Sequence, residues 1–297
     1  MDINGRVIFI TGGSRGIGAE VARQCGAKGA KVFLAGLEPD EMASVCEGIG
    51  SDRAAFLETD VTDLDAVRAA VAEAIRRFGS IDLVLANAGV APYGTVATIG
   101  RVTFDRAMDI NVGGVWNTLN ATMDALAASG GHVLTVCSVA SFAPLGGLHA
   151  YTASKAAAES LTSAFAIEVG HRGITVGSIH PSWIDTDMVR DAEADLPSFR
   201  RMRKLLPWPI HATTDVSACA AAIVRGFEKR KARVYSPGSA AILYWGRAFM
   251  QSPTTLRIMK LVFGRLMPSL EDEVRALGRS LSAREAEHQR QHELIEH

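Results

Sequence analysis

A phenol and an ammonium stand four residues apart in Tyr151-Thr152-Ala153-Ser154-Lys155, at the start of a helix-forming stretch. That spacing sets both groups on one helix face, one turn apart. A free tyrosine has a pKa near ~10 and is a poor base at neutral pH. An ammonium ~4 Å away contributes roughly 4 kcal/mol at an effective dielectric of ~20. At ~1.4 kcal/mol per pH unit, this is sufficient to bring the phenol about three units closer to neutrality. The pair reads as a proton shuttle. An ordinary surface pair has the same spacing, so the reading depends on what surrounds it.

Two more side chains fit that chemistry. Ser138 follows the apolar run His132–Val136, thirteen positions before Tyr151. At the carboxyl end of a parallel strand it faces the ligand crevice, where its hydroxyl can hold a substrate oxygen beside the phenol. Asn111 lies in Asp109-Ile110-Asn111-Val112-Gly113-Gly114, a helical stretch in which an amide is unfavourable without a partner. It is suited to holding a water next to Lys155 and extending the proton path. The plainer alternatives are a helix-capping serine and a solvated asparagine.

The elements that must position these groups start at the N-terminus. Val7–Ile10, Lys31–Ala35, Ala54–Leu57, Leu83–Ala86, His132–Val136, Ile174–Ile179 and Arg233–Tyr235 read as strands. Between them run helical patterns, among them Gly16–Gly29, Asp63–Phe78 and Ala150–His171. Continuous apolar strands separated by helix-length segments describe a parallel sheet covered on both faces. Right-handed crossovers then give an α/β, doubly wound Rossmann-type sheet. Residues 1–236 read as one domain, and residues 237–297 as a helical C-terminal extension beginning at Pro237-Gly238.

Directly between the first strand and first helix lies Thr11-Gly12-Gly13-Ser14-Arg15-Gly16-Ile17-Gly18. Glycines here let the backbone approach a pyrophosphate, and the helix N-terminus supplies N–H groups and partial positive charge. The spacing is G-x-x-x-G-x-G, which differs from the usual dinucleotide fingerprint, and no Lys-Ser/Thr follows as a phosphate loop requires. The competing reading is a turn that only permits tight strand-to-helix packing.

The bulk numbers narrow the partners. The 297 residues carry a formal net charge of −1, which gives no reason to expect nucleic acid. Cys25, Cys46, Cys137 and Cys219 are scattered, without the spacing of a zinc site or a disulfide framework, and suit a reducing cytoplasm. The first residues lack the apolar core of a signal peptide, and no apolar stretch is long enough to span a membrane. His288 and His292 are one helical turn apart near the end, but a solvated pair is the better reading and no metal is assigned.

Jointly these motifs resemble the conventional short-chain dehydrogenase/reductase family over roughly residues 1–236. They are Thr11-Gly12-x-x-x-Gly16-x-Gly18, Asp60-Val61 after the third strand, Asn87-Ala88-Gly89 after the fourth, and then Asn111, Ser138, Tyr151 and Lys155. The resemblance implies an NAD(P)-dependent oxidoreductase interconverting an alcohol and a ketone. It places Asp60 and Val61 at the adenine and Thr11 to Gly18, with Ser14, Arg15 and Ile17, at the phosphates. Asn87, Ala88 and Gly89 would border the cofactor, and Lys155 would also bind the nicotinamide ribose. Pro181, Ile184 and Thr186 would lie beside the nicotinamide. Homodimers or homotetramers are common in the family. Two departures are Pro181-Ser182 for the usual Pro-Gly and Ala86-Asn87 for the commoner Asn-Asn. A scaffold that had lost catalysis would usually lack the tyrosine or lysine; an epimerase or dehydratase on the same fold would show no net change in the nicotinamide.

Gly36, Leu37 and Glu38 follow the second strand, so neither the acid that selects NAD nor the base that selects NADP occupies its simplest position. Arg15, within reach of a 2′-phosphate, tips the expectation towards NADP(H); Glu38 at the ribose is the counter-reading. The segment 187–210, with Met188, Leu196, Phe199, Met202, Leu205, Leu206 and Trp208, reads as an apolar lid over a bulky hydrophobic alcohol or ketone. Packing of the lid against the body is the plainer account. Residues 239–267 mix Arg247, Arg257, Lys260 and Arg265 with Trp245, Phe249 and other apolar residues. A pair of helices over the cleft or a neighbouring subunit is the preferred reading, with contact to an anionic membrane surface as the alternative.

Overall fold

The computed structural model describes residues 1–143, 145–206 and 211–287. Seven strands form one wholly parallel sheet: β1 Val7–Thr11, β2 Lys31–Gly36, β3 Ala54–Glu58, β4 Leu83–Ala86, β5 His132–Val136, β6 Thr175–Pro181 and β7 Arg233–Ser236. Their order is β3-β2-β1-β4-β5-β6-β7. The chain therefore moves outward on one side of β1 and returns to its other side with β4. This reversal opens a crevice at the carboxyl ends of β1 and β4, where the glycine turn and Asn87 emerge.

The strands are apolar on both faces because both faces are covered. Ile8, Ile10, Val32 and Leu34 point into a core shared with Val21, Ala22, Ile223 and Phe227. Phe9 and Phe33 alternate to the other face, stacked at 5.7 Å, among Ala70, Val71, Leu119 and Phe165. The first core is built by α1 Gly16–Ala27, α2 Pro39–Ile49 and α9 Val216–Glu228. The second is built by α3 Leu64–Phe78, α5 Gly114–Ser129 and α6 His149–Glu168, with α4 Arg101–Met108 preceding α5.

Local chemistry explains several boundaries. Asp63 caps α3 by accepting from the N–H groups of Asp65 and Ala66 at 2.8 and 3.2 Å. Gly79, at φ 90, closes the same helix in the left-handed region. The expected helix over 150–171 ends at Glu168, and residues 170–172 tighten into a 3-10 turn. The stretch read as helical around Asn111 is a π turn, Asp109–Gly113, joining α4 to α5.

In the segment expected to be a lid, the described residues form α7 Asp187–Asp195 and α8 Pro197–Lys204. Beyond residue 236 the described residues form more than the expected pair of helices, among them α10 Ala241–Trp245, α11 Arg247–Met250, α12 Pro253–Phe263 and α13 Met267–Leu277. Phe263, Leu270 and Val274 join Leu196, Phe199 and Met202 in a third core between extension and lid. The extension thus packs on α7 and α8. Among the described residues no helix is long and apolar enough to cross a membrane. His288 and His292 lie outside the described residues, as does Trp208.

Candidate active site

The glycine turn is held open from behind. Asn87 donates from its side-chain amide to the carbonyls of Thr11 and Gly12 at 3.1 and 2.8 Å, and its N–H donates to the Thr11 hydroxyl at 3.0 Å. Gly12 has φ +62, and a Cβ there would lie 2.8 Å from the Ala88 Cα. A Cβ on Gly18 would lie 2.2 Å from the Gly12 carbonyl oxygen. No side chain caps α1, so its first-turn N–H groups remain for an anion. Thr11 and Gly18 shape this cradle without forming the cleft wall, whereas Gly12, Ser14, Arg15, Gly16 and Ile17 line it.

At one end of the cleft stand Leu37, Glu38, Asp60 and Val61. Glu38 is mostly buried; it accepts a hydrogen bond from the Ser14 hydroxyl and pairs with Arg15 at 3.3 Å and Arg284 at 3.8 Å. Arg15 is therefore engaged with a carboxylate, which weakens the premise that it waits for a 2′-phosphate. Asp60 accepts from the N–H and hydroxyl of Thr62, both at 2.8 Å, and pairs with Arg106 at 3.5 Å. The Val61 side chain packs so closely on Gly114 that a Cβ there would be 2.7 Å away.

At the other end are Tyr151, Lys155, Asn87, Ala88, Gly89, Pro181, Ile184 and Thr186. The cleft thus runs continuously from an acid beside Ser14, past the glycine turn, to the phenol and ammonium. That length, donor set and cradle fit an extended dinucleotide. Ser182 lines the cleft and donates its N–H to the Ser236 carbonyl at 2.8 Å, so the replacement of glycine is accommodated there.

Lys155 is only 4% exposed, with its Nζ donating to the Val136 carbonyl at 2.8 Å. Burial lowers its pKa from 10.5 to about 8. Its Nζ lies 5.9 Å from the centre of the Tyr151 ring. Burial raises the Tyr151 phenol above its ordinary value, and a hydrogen bond from Ser138 opposes that shift. Burial of the phenol, rather than the charge of Lys155 expected from the sequence, is the largest influence on it. The phenol keeps its proton at neutral pH.

Ser138 and Asn111 stand just behind the cleft wall. The Ser138 hydroxyl also accepts from the Ala140 N–H at 3.1 Å, so the capping role considered from sequence coexists with its bond to the phenol. The Asn111 amide is committed: it accepts from the Val90 N–H at 2.9 Å and donates to the Val90 carbonyl and Ser154 hydroxyl at 2.9 and 2.8 Å. Its oxygen and the Lys155 Nζ nonetheless converge on Gly89, where a Cβ would meet them at 2.8 and 3.2 Å.

Most apolar lid residues serve packing. Leu196, Phe199 and Met202 are buried against the extension, Trp183 lies edge-on to Phe199, and Leu205 is exposed, whereas Met188 and Val189 line the cleft. Residues after α13 turn back into the site. Leu281 and Glu285 line the cleft, and burial raises the Glu285 carboxyl above the usual range despite Arg15 nearby. Arg279 clasps Asp195 of the lid through two bonds, 2.6 and 2.8 Å, and also donates to the Tyr93 hydroxyl at 2.8 Å. The Tyr93 hydroxyl, with a single proton to donate, lies 2.7 Å from the Asp195 carboxylate and 2.6 Å from the Leu281 carbonyl. No local motif marks these residues, because their partners are about 84 and 186 positions distant.

Two outcomes follow from these geometries. Lys155→Met removes a buried cation whose pKa is depressed by folding. Below the folded value of about 8 the penalty is complete, and it fades as pH rises towards 10.5. The variant should therefore be more stable at pH 7 by about 1–3 kcal/mol, while losing turnover; denaturant melts at pH 7 and pH 10 should show that gain shrinking. Arg279→Ala should free the segment carrying Leu281 and Glu285. Loss of roughly 1 kcal/mol of closure would weaken dinucleotide binding about fivefold, measurable by cofactor fluorescence titration; unchanged affinity would show that the clasp does not reach the cleft.

The short chain dehydrogenase family model matches residues 6–197. A trans-4-hydroxycyclohexanecarboxylate dehydrogenase of Sinomonas cyclohexanicum is 34% identical over 191 residues, covering 62% of this chain and 74% of its own length. A (+)-borneol dehydrogenase 2 of Salvia officinalis is 38% identical over 203 residues, 66% of this chain and 70% of its own. A short chain dehydrogenase from Mycobacterium paratuberculosis, solved with NAD bound, superposes with a TM-score of 0.71 at 28% identity, covering 79% of this chain and 97% of its own. Fold, glycine turn and sequence relationship agree: the chain belongs to the short-chain dehydrogenase/reductase family and is an oxidoreductase of the NAD(P)-dependent kind acting on alcohols and ketones.

Proposed function

We propose that the protein reduces a small alicyclic ketone, and oxidises the corresponding secondary alcohol, with NAD(H) and with Tyr151 as the proton-transferring residue. The observation that carries this reading is the Tyr151 phenol beside Ser138, with the buried Lys155 one turn away at the end of a cleft that fits a dinucleotide. Its relatives named for a hydroxycyclohexane carboxylate and for borneol support a ring-borne alcohol as substrate. Among the described lid residues Met188 and Val189 reach the cleft, a surface suited to such a ring.

When bound, the nicotinamide supplies or accepts the hydride. The chain does the remainder. Ser138 holds the substrate oxygen against the phenol, and Tyr151 donates its proton to the carbonyl oxygen as the new C–H bond forms. Burial, which holds the Tyr151 pKa above its ordinary value, keeps the phenol in the protonated form this step needs. Lys155 stabilises the resulting phenolate and returns a proton to it. A water between Lys155 and Asn111, which converge at Gly89, carries the next proton inward. Oxidation runs the same path in reverse, with positive charge in the site favouring the phenolate.

The choice of NAD(H) rests on Glu38. A carboxylate beside the Ser14 hydroxyl suits a ribose diol, and it would repel a 2′-phosphate while already holding Arg15. This revises the slight expectation of NADP(H) that Arg15 alone suggests.

Tyr151→Phe should leave NADH affinity within about twofold while lowering ketone reduction by roughly 10²–10⁴, read from nicotinamide absorbance with cyclohexanone-type substrates. Retained turnover would remove Tyr151 from the mechanism. In separate titrations the native chain should bind NADH at least about tenfold more tightly than NADPH, and Glu38→Gln should narrow that gap by about a factor of ten. Native preference for NADPH would contradict the assignment to Glu38.

A further inference from the structure

The extension has an outer surface that the cleft does not use. Across α10, α11 and α12, Trp245 is 82% exposed, Leu261 75%, Ile242 74% and Phe249 67%, and Leu256 and Ile258 are also exposed. The first and last of these helices are anchored inward by other residues: Tyr244 of α10 and Thr255 and Phe263 of α12 are buried. Large apolar groups therefore face outward from helices whose packing inside is already satisfied. A single exposed leucine is ordinary, but this many in 23 consecutive residues, 241–263, form a patch of the kind that marks an interaction surface.

The charge of the same segment selects the partner. Between Ser236 and Glu271 there is no Asp or Glu, whereas Arg247, Arg257, Lys260 and Arg265 fall within it, in a chain whose overall formal charge is −1. Cations are thus segregated with the exposed aromatics and aliphatics. The Arg247 guanidinium lies over the Tyr244 ring at 4.6 Å and 4.0 Å from the Glu159 carboxylate, with half of its side chain exposed, whereas Arg257, Lys260 and Arg265 are exposed along the outer surface. A Trp, a Phe and several aliphatic residues ringed by Arg and Lys match the boundary between acyl chains and anionic headgroups. An isologous contact with a second copy would set four cations against four.

We propose that helices α10 to α12 form a monotopic docking surface for an anionic phospholipid bilayer, with Ile242, Trp245, Phe249 and Leu261 entering the headgroup region. The family match ends at residue 197, so this surface is an addition to the shared framework. Because Phe263 and Leu270 on the inner side pack on the lid, docking would set the bilayer beside the cleft. That step would let an apolar ketone enter from lipid and rests on the proposed function; the docking itself does not.

The test is co-sedimentation of the full chain with two vesicle types, pure phosphatidylcholine and phosphatidylcholine containing about one third phosphatidylserine. Screening shrinks from a Debye length of about 30 Å at 0.01 M to about 3 Å at 1 M salt, so the salt series reads the electrostatic share directly. The expected result is pelleting with the anionic vesicles at low salt and release at high salt. The combined Trp245→Glu, Phe249→Glu and Leu261→Glu variant should bind at least about tenfold more weakly while keeping its NADH affinity, which reports an intact fold. Recovery of the native chain in the supernatant with anionic vesicles at low salt would overturn the proposal, as would equal pelleting with pure phosphatidylcholine. So would a variant that pellets like the native chain. A halved solution mass of the variant by light scattering, without vesicle binding by the native chain, would assign the surface to a second copy instead. Loss of ketone turnover with vesicle binding intact would count against the proposed reaction and leave the docking standing.

Discussion

The site depends on keeping an ammonium almost dry. Lys155 is buried where solvation is poor, and one carbonyl, that of Val136 at the end of β5, accepts its proton at 2.8 Å. Isolated charge is costly in such surroundings, and the cost appears as a pKa drawn down to about 8. Only a rigid framework holds a charge in that position. Here the framework is the junction of β4, β5 and α6, where Gly89 has no room for a Cβ because the Asn111 oxygen and Lys155 Nζ occupy the space. The π turn at Asp109–Gly113 sets Asn111 against the loop after β4 and the helix carrying Lys155 at once.

A second constraint joins the cofactor end to the lid. Asn87 braces the glycine turn from the neighbouring strand, so the backbone conformation of Gly12 and the end of β4 are fixed together. On the opposite side, the segment after α13 reaches back to place Leu281 and Glu285 on the cleft wall. Arg279, Tyr93 and Asp195 tie that segment to α7. Glu273 of α13 does the same for α8, accepting from the N–H and hydroxyl of Ser198 at its first turn. Lid, extension and cofactor crevice are therefore mechanically connected through polar contacts, while Leu196, Phe199 and Met202 supply the apolar part of that joint.

The parts legible in the sequence were those governed by local periodicity or a short motif. Ile8 and Ile10 alternate with Phe9, so both faces of β1 declare themselves buried, and Gly12 to Gly18 fall where a strand gives way to a helix. The Tyr151 to Lys155 spacing is a property of one helix. What could not be read was set by distant packing. The apolar lid points to a greasy substrate pocket, yet Leu196, Phe199 and Met202 face the extension, a partner some 70 residues later in the chain. Arg15 read as a phosphate ligand because Glu38, 23 positions later, is brought to it only by the fold. Charge alone makes Lys155 the main influence on Tyr151, whereas burial of the phenol, set by the fold, is the larger one. Leu281 and Glu285 had no signal, since a short charged stretch near a terminus looks the same whether it frays or closes a cleft.

The most direct measurement of the central claim is the fate of deuterium carried at the reactive position of NADH during reaction with an alicyclic ketone. The account predicts one deuterium on the carbinol carbon of the alcohol, with one NADH oxidised per product formed and the label retained when the solvent is ordinary water. Product formed without NADH oxidation, or with hydrogen from solvent at that carbon, would contradict hydride transfer and turn the same residues to another chemistry.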